Sequence, residues 1–131
     1  REVAQRLITG DYTPLLQSRE AFAAECYALM QSRCYRPKAI VEYDRKAFIA
    51  KENKIRVTFD SRIVATESSF DLFDERLNMT PVLDPGAVVM EVKYNGFLLD
   101  YIRRMINTVD QSELSVSKYM LARQNGYRYR L

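Results

Sequence analysis

The stretch from Ala39 to Ile63, AIVEYDRKAFIAKENKIRVTFDSRI, constrains the fold more than any other part of the chain. β-Branched and aromatic residues fill two arms, about Ala39–Ala50 and Ile55–Val64, on either side of the polar run Lys51–Glu52–Asn53–Lys54. Arms of this composition around a short polar run predict a β-hairpin. With two or four residues in the loop, Ala50 faces Ile55. Tyr43 then stands opposite Arg62, Arg45 opposite Asp60 and Ile49 opposite Arg56. Side chains on a strand alternate between faces, so Tyr43, Arg45, Arg56, Thr58, Asp60 and Arg62 share one face. Ile55, Val57, Phe59 and Ile63 meet Phe48 on the other. An odd-length loop would break this register.

The rest of the chain supplies helices and one more convincing strand. Arg1–Thr9 has helical spacing and ends at Gly10–Asp11, and Tyr12–Gln17 is a connector. Ser18 is a candidate N-cap for a helix reaching about Gln31. Phe22, Cys26, Leu29 and Met30 form a stripe at helical spacing on it, expected to face the core. Arg36–Pro37 turns the chain into the hairpin, because the residue before proline is pushed toward extended geometry. Residues 65–86, with Asp71, Asp74, Glu75, Asp84, Pro81, Pro85 and Gly86, predict loops with at most a short turn or edge strand, and their carboxylates read as solvated surface. Ala87–Tyr94, AVVMEVKY, reads as a strand with Val89, Glu91 and Lys93 on one face. Phe97–Val109 is helical, with Leu98, Tyr101, Ile102, Met105 and Ile106 on one side. A last helix, Ser115–Gln124, starts from Ser112 or Ser115 and stops at Asn125–Gly126. These elements make an α+β chain of antiparallel strands with helices around them.

Composition narrows the chemistry. The chain has no histidine, so it supplies no histidine general base, dyad or metal ligand. Cys26 and Cys34 lie eight residues apart in a predicted helical region, too far to bridge and matching no zinc spacing. Two idle thiols imply a reducing, cytoplasmic setting. No apolar run is long enough to span a membrane, and the terminal YRYRL is too short to argue for nucleic acid. At 131 residues the expectation is one domain, burying roughly two-thirds of its unfolded surface. The chain opens on Arg1 without an initiator Met, so it reads as a piece of a longer protein.

The net charge is only +3, so any anion site must come from local placement of Arg and Lys. The hairpin and the third strand repeat one pattern: Arg45, Arg56 and Arg62 on one face, Glu91 with Lys93 on another. A polar strand face is often simply solvated. Guanidinium groups this close repel unless an anion joins them, and their planar fork matches phosphate oxygens. A closed or curved sheet gathers such groups into a tunnel with a polar interior and apolar faces turned outward onto helices. In that tunnel Glu91 either helps hold Mg2+ or Mn2+, together with phosphate and water, or forms an ion pair with Lys93 or an arginine.

Four ordered blocks, RPKAIVEYDRKAF, KIRVTFDS, VVMEVKYNGFLLDYIRRMI and SVSKYMLAR, resemble the VTC-type polyphosphate polymerase domain. That family belongs to the triphosphate tunnel metalloenzymes, and the resemblance covers about Arg36–Arg123. It implies an antiparallel β-tunnel flanked by helices. It further implies that Tyr43, Arg45, Arg56, Ser117 and Lys118 contact triphosphate, that Lys93 is a tunnel neighbour, and that Glu91 is the metal-binding glutamate for Mn2+ or Mg2+. Arg45, Arg56 and Lys118 are the candidate catalytic groups, and Arg62 joins the substrate contacts through its place on the hairpin face. The implied reaction moves the terminal phosphoryl of ATP onto polyphosphate, helped by cations and metal more than by covalent chemistry. Two departures stand out. A further lysine of the family's polymerases is replaced by Ser115. The family's first strands have no counterpart, so the expectation is the C-terminal two-thirds of a domain, with an incomplete tunnel that is open, completed by another chain, or catalytically silent. A triphosphatase of the same superfamily and a non-catalytic polyphosphate-binding subunit are the alternatives.

Overall fold

The structure, a computed structural model, describes residues 1–108 and 116–128, with the backbone alone for residues 52 and 125–128. The fold is α+β, with four α-helices and an open antiparallel sheet of four strands among the described residues. The described residues form two compact units, one of residues 1–40 with 66–79, the other of residues 41–65 with 80 onward.

In the first unit, α1 (Glu2–Ile8) and α2 (Ala21–Ser32) are joined through a tight turn of 3-10 helix, Thr13–Gln17. α1 stops where the sequence predicts. The Gly10 and Asp11 amides donate back to the Leu7 and Arg6 carbonyls at 3.0 Å each, and Gly10 takes a φ of +85°, a closure that glycine enters without a Cβ penalty. α2 closes the same way, with Cys34 and Tyr35 donating to Gln31 and Met30, but here the left-handed residue is Cys34, at φ +51°. The N-cap of α2 is Glu20 rather than Ser18. Ser18 instead accepts the Glu20 amide at 3.2 Å, bracing the turn ahead of the helix. Tyr12 anchors this unit: it is buried, donates its hydroxyl to the Tyr35 carbonyl, and lies under the Arg36 guanidinium. The stripe on α2 is not a core face, since Phe22 is 73% exposed and no residue of the helix is buried.

The acidic segment of residues 65–86 is built from turns, and its carboxylates have local work. Asp71, Asp74 and Asp84 each accept the backbone amide two residues on, from Phe73, Arg76 and Gly86. Its one strand, β3, is the two residues Thr80–Pro81.

The second unit holds the sheet. β1 (Ile40–Ile49) and β2 (Arg56–Thr66) form the expected hairpin, and the four-residue loop gives it even parity, with the Ala50 amide donating to the Ile55 carbonyl at 3.0 Å. Asn53 and Lys54 make the reversal in left-handed geometry. The tip is tied down as well: the Asn53 carbonyl accepts the Asn95 amide at 2.8 Å, and its side chain donates to the Phe97 carbonyl at 2.9 Å. β4 (Val88–Lys93) pairs with the first half of β2, matching Arg56 with Lys93, Thr58 with Glu91 and Asp60 with Val89. β3 pairs with the second half, Val64 opposite Pro81. β2 is thus paired on both sides, while β1, β3 and β4 are edge strands.

One feature of β2 departs from simple alternation. Thr58 and Asp60 are buried, and so are Ile63 and Ala65, so the buried face slips by one residue between them. The slip falls at Arg62, whose φ is +51°, and an extra residue in left-handed geometry is what a β-bulge inserts into a strand. Ile63 therefore shares a face with Thr58 and Asp60, not with Val57 and Phe59. Burial also differs between the faces. The polar side of the first half of β2 is the more deeply covered, while Val57 and Phe59 are half-buried and Phe48, stacked edge-on against Phe59 at 5.9 Å, is exposed.

Two helices complete this unit. α3 (Asp100–Ile106) is shorter than the predicted Phe97–Val109 and buries only Ile102. α4 (Lys118–Arg128) begins later than Ser115 and continues through Asn125–Gly126, so that pair does not stop it. Ser117 caps it, accepting the Met120 amide at 3.3 Å. Ser112, Ser115 and the terminal residues 129–131 lie outside the described residues. No described helix is long and apolar enough to cross a membrane.

Candidate functional site

The polar face of the hairpin and β4 gathers most of the residues singled out by sequence. Tyr43 and Arg45 come from β1, Arg56, Thr58 and Asp60 from β2, and Glu91 and Lys93 from β4. The register sets Lys93 beside Arg56 and Glu91 beside Thr58, and cross-strand partners share a face. Lys118, the first residue of α4, reaches the same face.

At its centre is a residue to which the sequence reading gave no role. Asp60 is fully buried and accepts two bonds from Arg45, Nε to Oδ1 at 2.6 Å and Nη2 to Oδ2 at 2.7 Å. Lys118 Nζ adds a third contact, 2.6 Å from Oδ2. Both cations also lie over the Tyr43 ring, each 5.0 Å from its centre. A carboxylate in this setting stays ionised. The Arg45 hydrogen bonds dominate, with Lys118 adding to them, and together they outweigh burial and pull the Asp60 pKa from 3.8 down to about 2. The same pairing raises the Arg45 pKa further above its already high value.

Glu91 forms the second ion pair on the face. Lys93 Nζ lies 3.0 Å from Oε1, one of the two states the sequence leaves open for this acid. Its pKa is lowered first by the Lys93 hydrogen bond, against some desolvation, and also by the charges of Lys93, Lys118 and Arg45. Both carboxylates are thus engaged by cations, and Arg56, exposed beside Lys93, has no ion-pair partner among the described residues.

Arg62 does not join the group. The bulge turns it out of phase, and it pairs with Asp44, which alternation sets on the opposite face of β1 from Tyr43 and Arg45. Unbroken alternation would place it with the other arginines, and nothing in the letters RIV marks a slipped strand. Ser117 is exposed, and its hydroxyl oxygen serves as the cap of α4. Asp60 was visible as the partner of Arg45 by parity, but its contact with Lys118 joins residues 58 positions apart and leaves no local pattern.

The face therefore presents Arg45, Arg56, Lys93 and Lys118 around two carboxylates, an excess of positive charge on a sheet whose chain as a whole carries only +3. The profile of the VTC domain matches residues 2–126. The chain belongs to the VTC domain family. This membership connects it, in general terms, with polyphosphate. Neither the curated proteins nor the solved structures contain a match to this VTC chain. Among its described residues no three His, Cys, Asp or Glu side chains stand together as a metal site. Any divalent ion on this face would depend on Glu91 and on oxygens brought by a ligand. Such a donor set fits Mg2+ or Mn2+, which bind few protein oxygens beside phosphate and water.

Proposed function

We propose that this VTC chain binds triphosphate and polyphosphate on the polar face of its sheet, as part of a domain that moves the terminal phosphoryl of ATP onto a polyphosphate chain. Membership of the VTC family supports the substrate class. The observation that carries the reading is the convergence of Arg45, Arg56, Lys93 and Lys118 from three strands and a helix onto one face, with Arg56 lacking a counter-ion among the described residues. Closely spaced cations of this kind are held apart by their own repulsion, and a polyanion joins them. Arg56 and Lys93 would meet phosphoryl oxygens first, with Arg45 and Lys118 behind them, and Ser117 at the head of α4 would add a hydroxyl. A divalent ion held between Glu91 and the phosphates would supply charge neutralisation during transfer. Lys93 moves from Glu91 to phosphate in this reading, leaving the carboxylate free.

The chain is incubated with ATP, Mn2+ and inorganic triphosphate, and the products are resolved by length. Long chains support the polymerase, and free phosphate alone supports a triphosphatase. Tight binding without turnover supports a polyphosphate-binding subunit, a reading favoured by the open sheet among the described residues. Glu91→Gln should leave folding and metal-free binding nearly intact and lower any metal-dependent turnover by orders of magnitude. Turnover at the parental rate would reduce Glu91 to an ion-pair partner of Lys93.

A further inference from the structure

We infer that Asp60 is the positioning residue of this anion site, holding Arg45 and Lys118 in the orientation in which they meet a polyphosphate; the inference rests on the binding function proposed above. Three features carry it. Asp60 is 0% exposed, so it cannot itself meet a ligand without dismantling the face. It takes the Nε and Nη2 edge of Arg45 in a two-point fork, which fixes the guanidinium plane and leaves the two Nη1 protons and the outer Nη2 proton as the remaining donors. It also takes one proton of the Lys118 ammonium, and Lys118 is only 19% exposed, so the flexible stem of a lysine is held at a single point.

The geometry sets two physical effects against each other. As a charge, Asp60 lowers the positive potential of the face and should weaken anion binding. As an anchor, it settles the conformational cost of ordering two long cationic side chains before the ligand arrives, which should strengthen binding. Tyr43 shares the second task, because its ring lies beneath both cations. The anchor is the larger effect here. Arg45 and Lys118 reach the face from different elements, and each charge-assisted bond to phosphate depends on direction as well as sign.

The opposed signs make the test direct. Binding of inorganic triphosphate is measured by calorimetry for the 131-residue chain and for Asp60→Asn, which keeps the shape and removes the charge. Asp60→Asn should bind roughly ten-fold more weakly, although the face has become more positive. Equal or tighter binding would overturn the positioning role. Should Asp60→Asn fail to fold because two cations have lost their counter-ion, the comparison moves to Lys118→Gln with and without Asp60→Asn, where the double variant keeps the net charge of the parent. Weaker binding by the double variant than by Lys118→Gln alone supports the role, and equal or tighter binding overturns it. A parent chain that does not bind triphosphate at all would overturn the binding function itself, an outcome distinct from either result.

Discussion

Thr58 shows how closely the polar face is packed at the level of a single side chain. It is 1% exposed and its hydroxyl has no hydrogen-bond partner among the described residues, an arrangement that costs free energy. Thr58→Val keeps the shape and the preference for a strand, and should stabilise the chain by about 1 kcal/mol. A shift of the urea midpoint to higher concentration checks it; an unchanged or lower midpoint would mean the hydroxyl is satisfied. Asp60 makes the complementary prediction for acid. Its folded pKa is depressed, so the stability from its pairs is fully present above the unfolded value of 3.8 and is lost as pH falls toward about 2. Unfolding curves should therefore lose stability between about pH 4 and pH 2, and Asp60→Asn should flatten the slope across that window. An equally steep loss in the variant would assign the acid sensitivity to other carboxylates.

At the scale of elements, the two helix ends of the first unit offer a controlled comparison. Both close with the same pair of backbone bonds, yet α1 has Gly10 in the left-handed position and α2 has Cys34. A side chain pays for that geometry, and glycine does not. Cys34→Gly should raise stability by about 0.5–1 kcal/mol, after allowing for the greater freedom of glycine in the unfolded chain. Loss of stability on chemical unfolding would instead give the exposed thiol a packing role. The same elements show what was legible in the sequence. The hairpin and the Glu91–Lys93 strand follow from period-two alternation, while the even register depends on a loop length that the structure supplies, with the Arg45–Asp60 pairing contained in it. The slip at Arg62 is not, because a bulge depends on one backbone angle that an arginine rarely adopts. The stripe on α2 misled for a different reason. Helical spacing reports which residues lie on one side of a helix, and says nothing of whether anything covers that side.

For the molecule as a whole, binding and folding are linked. If the folded face binds triphosphate and the unfolded chain does not, ligand at about one hundred times its Kd should add about 2.7 kcal/mol to the unfolding free energy. Monophosphate, which cannot span Arg56, Lys93 and the Arg45–Lys118 pair together, should add far less at equal concentration. Denaturant titrations with each ligand check this, and equal effects would reduce the face to a non-specific anion surface. Triphosphate binding should also weaken as salt rises, since exposed Arg56 and Lys93 are open to screening. The bulge at Arg62 has a further consequence, in the currency of mutation rather than energy. Arg62 is exposed and its ion pair with Asp44 is a surface one, so loss of the guanidinium alone should change little, and residues that enter left-handed geometry readily, glycine and asparagine above all, should fit the position. Removing it would restore unbroken alternation and rotate either Ile63 and Ala65 or Thr58 and Asp60 to the opposite side. The position should tolerate residues that accept a positive φ, but no deletion, so in descendants of this gene the length of β2 at this point is more tightly held than its spelling.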